Sequence, residues 1–456
     1  MPAAITAAET SVFPRYLDLV YPSIERGRGV RLYQAGGLEV LDAASGGAMV
    51  ACLGHAVDRI VDAAVAQAGR LSYVYNHHFT NDAQEELATR LIREAAPEMA
   101  RVRFVSGGSE ANEAALRLVR QYHVERGQPQ RWRVISPTQA YYGATMGALS
   151  LTGRSVVQHP FESYLAEHLH LSTGAFRADP SGEAALAEFD RLLEDAGDSV
   201  AAFFCEPVSA AALPAFSPPS TFWQGVEKRR REHGFLVCFD EIVTGMGRTG
   251  SWFAYQQIPL GPDIVTGGKG LGAGYFPLAG MLCRAGVYDV IASGSREFEH
   301  GHTWDGAPLP MAIGLAVLDF LQEQGLVDRV RERGPSLRSE LEQAVGDLDI
   351  VREVRGRGFL LGVELVDPRD GESPLPSELR AAELVDQTAF KHGVLVTSSY
   401  GSAEERIGDQ VLLAPAYTSS DKELGGMVER LAAALAGVQR ILEPHLVRPR
   451  SSYDGA

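Results

Sequence analysis

The sequence predicts an α/β fold: a large domain on a mainly parallel sheet, with a smaller α/β domain beside it. Three observations predict it. Short apolar runs at 102–105, 132–135, 200–205, 235–239, 263–266 and 278–283 alternate with helix-like segments at 82–94, 110–124, 182–196 and 221–233. Strands alternating with helices form βαβ units, and such crossovers produce parallel pairs. A second, shorter α/β pattern follows residue 324. Small, polar and glycine-rich stretches fall just after the apolar runs, and open parallel sheets hold ligands at the carboxyl ends of their strands.

In chain order, residues 14–54 predict short strands and turns. Leu32-Tyr33-Gln34-Ala35, the turn Gly36-Gly37 and Leu38-Glu39-Val40-Leu41-Asp42 form a hairpin signal. An amphipathic helix covers 56–68. The loop 71–79 is rich in tyrosine and histidine, which suits a pocket wall and a solvated surface equally. After the alternating region come helices at 308–324 and 327–346, a strand at 358–365 and a polar surface loop at 366–376. A helix at 377–391, strands at 394–397 and 410–414 and a helix at 421–441 complete the second unit. The tail 447–456 has little to bury and is expected to be loosely held. This places the N-terminal segment of the small domain at 1–60, the large domain at 61–324 and the rest of the small domain at 325–456. No internal repeat or low-complexity segment interrupts the pattern.

The 456 residues allow two or three domains, and an apolar share of 45% supports a large core. A formal net charge of -16 argues against nucleic acid or an anionic membrane as partner. Residues 1–10 lack a basic segment followed by an apolar core, so no signal peptide is expected, and no apolar run approaches membrane-spanning length. Cys52, Cys205, Cys238 and Cys283 have neither metal-site nor redox spacing. They are expected to be reduced, mostly buried thiols, in keeping with a cytoplasmic protein without a metal.

Lys269 ends the stretch Pro262-Asp263-Ile264-Val265-Thr266-Gly267-Gly268-Lys269-Gly270. Glycine on both sides lets a flat group approach the backbone. A lysine desolvated there has a lowered pKa and an available neutral amine. On this stretch alone, a surface lysine in a glycine-rich turn is the better reading. The run is not a P-loop, because Gly270 follows the lysine in place of Ser or Thr.

Four other segments carry chemistry. Ser106-Gly107-Gly108-Ser109-Glu110-Ala111-Asn112-Glu113 turns a strand into a helix whose free N–H groups can bind phosphate. A plain N-cap at Ser109 and acids favouring the helix dipole are the simpler reading. Ala140-Tyr141-Tyr142-Gly143 offers an aromatic face beside glycine, or a core tyrosine. Glu206-Pro207 and Asp240-Glu241 follow buried strands. A buried carboxylate needs a positive partner: a protonated ring nitrogen, or Arg248 of this chain.

A carboxylate, a stacking aromatic, a phosphate-binding helix start and a lysine are together what pyridoxal phosphate needs. With Gly245-Met246-Gly247-Arg248-Thr249-Gly250, His302-Thr303 and Arg355-Gly356-Arg357-Gly358, the set resembles the class III pyridoxal-phosphate-dependent aminotransferases over roughly residues 15–440. The resemblance implies the aspartate-aminotransferase-like fold and transfer of an amino group between an amine or ω-amino compound and a keto acid or aldehyde. It implies Lys269 as the Schiff-base lysine and Asp240 as the partner of the pyridine nitrogen. Ile242 and Tyr141 then flank the ring, and Gly107, Gly108 and Ser109 hold the phosphate. Glu206 sits near the ring hydroxyl, Val243 stands where many members place glutamine, and Thr303 reaches the phosphate from the other subunit of a homodimer with shared sites.

Other departures concern substrate. Tyr142 stands where histidine is usual, Ala211 where some members keep a glutamate, and Asp421 where some carry a carboxylate-binding arginine. Arg406 is the nearest replacement. Ala48, Met49, Tyr73, Tyr75, His77 and Tyr417 are the expected pocket residues. An aminomutase or lyase on the same scaffold is the alternative. A dinucleotide-binding protein is a distant third, since no G-x-G-x-x-G opens a helix.

Overall fold

The computed structural model describes residues 4–446; the tail 447–456 lies outside the described residues. A seven-stranded sheet forms the centre. In spatial order its strands are Arg101–Val105, Ala279–Cys283, Ile264–Gly267, Leu236–Glu241, Val200–Cys205, Arg133–Pro137 and Leu169–Leu171. Neighbours from Ile264–Gly267 to Leu169–Leu171 pair in parallel, while Ala279–Cys283 runs antiparallel to both its neighbours. The mainly parallel sheet is thus as expected, with one reversed strand.

The two-residue period of a strand sorts side chains onto opposite faces. Ala202, Phe204, Leu236 and Cys238 pack against Ala114, Ala115, Leu118 and Val119 of the helix Gly108–Glu125. Phe203, Val237 and Phe239 fall on the other face, in the core that holds Phe189, Phe222 and Trp223. The same parity separates the acid pair at the strand's end: Asp240 shares the face of Cys238, and Glu241 that of Phe239.

Two four-stranded sheets and a two-stranded one, Ala4–Thr6 with Val20–Pro22, accompany the central sheet. One four-stranded sheet orders Val351–Arg357, Leu360–Leu365, Gln410–Leu413 and Thr397–Ser399, all antiparallel. The other orders Val394–Leu395, Glu39–Asp42, Arg31–Gln34 and Ile24–Arg28. The hairpin forms with Tyr33 opposite Glu39, and its turn places Gly36 and Gly37 at φ 99° and 100°, where a side chain would be strained. Val394 pairs in parallel with Leu41, so the N-terminal segment joins a strand far along the chain.

Three elements differ from expectation. Residues 358–365 are the second half of a hairpin whose first strand, Val351–Arg357, has no apolar run to announce it. Residues 394–397 serve two different sheets, because Val394–Leu395 and Thr397–Ser399 pair with different partners. The edge strand Leu169–Leu171 has only three residues, too short for a periodic signal.

Arg248 ties these parts together. Fully buried, it donates to the carbonyls of Phe359 (3.1 Å) and Pro415 (2.5 Å) and to Ser45 Oγ (3.0 Å), and its guanidinium lies 4.7 Å from the Tyr417 ring centre. Its acceptors come from an early segment and two late ones. Arg248→Met keeps the hydrocarbon stem but strands three buried acceptors, each costing about 1–3 kcal/mol. Urea unfolding of the variant is expected to show a loss of at least about 3 kcal/mol.

Candidate active site

The carboxyl ends of the parallel strands bring the expected residues together. Register sets Asp240 beside Thr266, Glu241 beside Gly267 and Phe239 beside Cys205. Glu206, Asp240 and Lys269 therefore lie at adjacent strand ends. Asp240 and Glu241 are the last two residues of their strand and do not follow it.

Asp240 is buried and does not pair with Arg248, whose Nη1 and Nη2 donate to neutral oxygens. Its Oδ1 accepts from the Ile242 N–H (2.9 Å) and its Oδ2 from Asn112 Nδ2 (2.7 Å). Burial pushes its pKa up to about 6, against those two bonds and the charge of Lys269. Glu241 has a different task. It accepts from Thr244 Oγ1 (2.5 Å) and from the N–H groups of Ala254 (2.8 Å) and Tyr255 (2.7 Å), clasping the loop below the sheet.

Glu206 accepts from the Ala210 N–H (3.0 Å) and Ser209 Oγ (3.1 Å). Burial, then the nearby Asp240 charge, pushes its pKa up to about 8. At neutral pH Asp240 is thus the charged acid and Glu206 the protonated one. Burial pulls the Lys269 pKa down, while Asp240 and Glu206 oppose that shift. Lys269 itself adopts φ 40°, a conformation held by the bonds of the Leu271 N–H to Gly268 O and of the Ala273 N–H to Lys269 O. Only the three-residue turn Lys269–Leu271 follows it, so the glycine run opens no helix for a dinucleotide.

Glycines shape a cradle around Ile242. A Cβ on Gly108 would lie 3.0 Å from Ile242 Cγ2, and one on Gly268 3.1 Å from Ile242 Cδ1. Gly108 also begins the eighteen-residue helix, so its first N–H groups face the same corner. The N-cap is Gly107 and carries no side-chain bond, so Ser109 is not the cap; its Oγ accepts from the Ala144 N–H (3.1 Å). Glu110 accepts from the Ser106 N–H and lies 3.2 Å from His302, and Glu113 accepts from the Gly147 and Ala148 N–H groups. Both acids therefore build the turn besides favouring the helix dipole. Tyr141 is 46% exposed, with its ring free to cover a ligand, whereas Tyr142 is buried and its hydroxyl reaches the Phe204 carbonyl. A desolvated lysine, a buried carboxylate, an apolar face and a helix start fit a flat, cationic, phosphorylated ring.

The remaining expectations scatter. Val243 packs with Met49, Val208 and Ala210 in an apolar cluster. Tyr75 stacks on His77, with ring centres 4.4 Å apart. Tyr417 is fully buried over Arg248, so its part is packing and it does not line a pocket. Arg406 is exposed at φ 56° and has no ion pair among the described residues. Asp421 faces Arg329 and Arg333. Thr303 is exposed, and its carbonyl accepts from Tyr73 Oη (2.8 Å). Sequence reasoning missed Asn112 and Thr266. The available signal was a polar residue of weak helix propensity among alanines, Ala111-Asn112-Glu113-Ala114-Ala115.

The model of the family described as aminotransferase class-III matches residues 14–435. The chain belongs to the class III aminotransferases. It is 32% identical to an aminotransferase of Bacillus subtilis (strain 168), over 94% of this chain and 98% of that one. It is 31% identical to the vanillin aminotransferase of Capsicum frutescens, over 92% of each. Among solved structures, the ω-transaminase of Pseudomonas jessenii in complex with PMP superposes with a TM-score of 0.88 at 30% identity, covering 95% of this chain and 98% of that one. An amine transaminase from an uncultivated Pseudomonas species, solved in its PLP-bound form, gives a TM-score of 0.85 at 31% identity, covering 94% and 97%. The enzyme thus has the aspartate-aminotransferase-like fold and catalyses amino-group transfer. Nothing in these likenesses favours an aminomutase, a lyase or a dinucleotide-binding protein.

The raised acids make the enzyme's stability depend on pH. A carboxyl whose folded pKa lies above its unfolded value stabilises the fold below the unfolded pKa, and that contribution is lost as pH rises through the folded pKa. For Glu206 the window runs from about 4.5 to about 8. Glu206→Gln, which cannot ionise, is expected to match the parent near the bottom of that window and exceed it increasingly toward the top. Urea midpoints of the cofactor-free proteins across the window measure this; parallel curves would contradict the assignment.

Proposed function

We propose that the enzyme binds pyridoxal 5'-phosphate between Ile242 and Tyr141 and moves an amino group between an amine or ω-amino compound and a keto acid or aldehyde. One observation carries this reading: a buried carboxylate with no cationic partner of its own, Asp240, meets a desolvated lysine, Lys269, beside the glycine cradle. Bound there, the cofactor supplies an electron-withdrawing ring that accepts the electron pair released when the donor's amine-bearing carbon loses its proton.

The chain's own groups do the rest. Asp240 keeps a proton on the ring nitrogen. Lys269 holds the cofactor covalently at rest, then takes a proton at Nζ and returns it one position away. The N–H groups at Gly107, Gly108 and Ser109 orient the phosphate through the helix start. Glu206, protonated at neutral pH, offers the ring oxygen a donor that Val243 cannot. The substrate space borders Met49 and Tyr75, with Arg406 assigned to a substrate carboxylate.

The same reading makes the enzyme a cytoplasmic homodimer with shared sites, in which Thr303 of one subunit contacts the phosphate held by the other. It divides the chain at about residues 60 and 324. Exposure of Thr303 supports the shared site, and the four buried, free cysteines support a reducing compartment. No helix of the described residues is long and apolar enough to cross a membrane.

Donor alone is expected to convert the bound cofactor stoichiometrically to its amine form, with one carbonyl product per site. An aminomutase or lyase would leave the cofactor unconverted. Lys269→Ala is expected to lose the borohydride-reducible link and at least about a thousandfold in rate. Near-parental activity would refute the assignment.

Mixed dimers test the sharing. One subunit carries Lys269→Ala and the other Thr303→Ala. Sharing leaves one intact site and about half the parental activity. A threonine acting within its own chain leaves no intact site, and every active site then releases cofactor quickly.

A further inference from the structure

We propose that Asn112 is a positioning residue that holds Asp240 as an oriented anion, and that Thr266 fixes Asn112 in turn. The proposal rests on the reading that Asp240 faces the ring nitrogen of the cofactor.

The orientation of the Asn112 amide has one solution. Nδ2 lies 2.7 Å from the Tyr142 carbonyl and 2.7 Å from Asp240 Oδ2, and Oδ1 accepts from Thr266 Oγ1 at 2.8 Å. A backbone carbonyl can only accept, so the NH2 group must face it. A flipped amide would set its oxygen against two acceptors. One amide hydrogen is therefore spent on Tyr142, and the other is aimed at Asp240.

Asp240 Oδ2 must then accept, as Oδ1 does from the Ile242 N–H. With both oxygens taking a neutral donor, the carboxylate is held in one plane, with lone pairs left for a third donor. Among the groups around Asp240, Lys269 acts on it as a charge, while Asp240 itself pushes up the pKa of Glu206, Glu241, Tyr142 and Cys205. Of these only Lys269 favours the anion. The Asn112 bond is thus one of few terms that keep the proton on the partner nitrogen.

Asn112 and Thr266 are both fully buried. A buried asparagine in the second turn of a helix gives up helix propensity relative to alanine. Three complementary bonds account for its presence.

The test is the 15N resonance of the holoenzyme's cofactor, labelled at the ring nitrogen, at fixed pH. In the parent it is expected near the pyridinium position. Asn112→Ala makes Asp240 more basic, so the shared proton moves toward the carboxylate and the resonance moves toward neutral pyridine. Thr266→Val keeps its shape but frees the amide to rotate, and a smaller shift in the same direction is expected. The donor half-reaction should fall about tenfold or more in Asn112→Ala, a tenfold change corresponding to one unit of proton affinity.

An unshifted resonance in cofactor-loaded Asn112→Ala would overturn the proposal. If that variant does not load cofactor, Thr266→Val decides by the same criterion. Asp240→Asn separates the underlying reading: a parental resonance there would mean that Asp240 does not face the ring nitrogen, whatever Asn112 does.

Discussion

A carboxylate buried without a cation of its own within ion-pair distance is the constraint on which the site depends. Taking Asp240 out of water raises the energy of its ionised form, and its two neutral donors recover only part of that. The unsatisfied remainder is what a protonated ring nitrogen would relieve. Glu241, one residue on, is also pushed up by burial, to about 7, but its three donors are Thr244 and the backbone at Ala254 and Tyr255, so it clasps the following loop. Strand parity puts the two acids on opposite faces of the sheet.

The rest of the molecule holds that arrangement in place. Parallel register aligns the strand ends that carry Glu206, Asp240 and Lys269. Gly108 and Gly268 let Ile242 close against the backbone, leaving an apolar face where a ring would lie. Arg248 locks the segments around Ser45, Phe359 and Pro415 to the loop that follows Asp240. The proton balance follows: Asp240 carries the charge beside the lysine, while burial, and then repulsion by Asp240, keeps Glu206 neutral.

Much of this was legible from residue order. Apolar runs fixed by burial announced six of the seven central strands, and the glycine and acid motifs sat at their ends as the fold class requires. The seventh strand was too short to show a period. Asn112 was visible only as a misfit in an alanine-rich helix, since its partners Tyr142, Asp240 and Thr266 are remote in sequence. The resemblance named Asp240 over Glu241, but the exclusion of Arg248 as its partner needed tertiary contacts. Tyr417 failed as a pocket residue for the same reason: an aromatic after a strand looks alike whether it faces a ligand or a buried guanidinium.

The most direct measurement is the single-turnover rate of amine donor with cofactor-loaded Asp240→Asn. The substitution is nearly isosteric and removes only the charge. If Asp240 holds the ring nitrogen protonated, the variant should bind cofactor yet react at least about a hundredfold more slowly. A fully loaded variant that turns over at the parental rate would contradict the account.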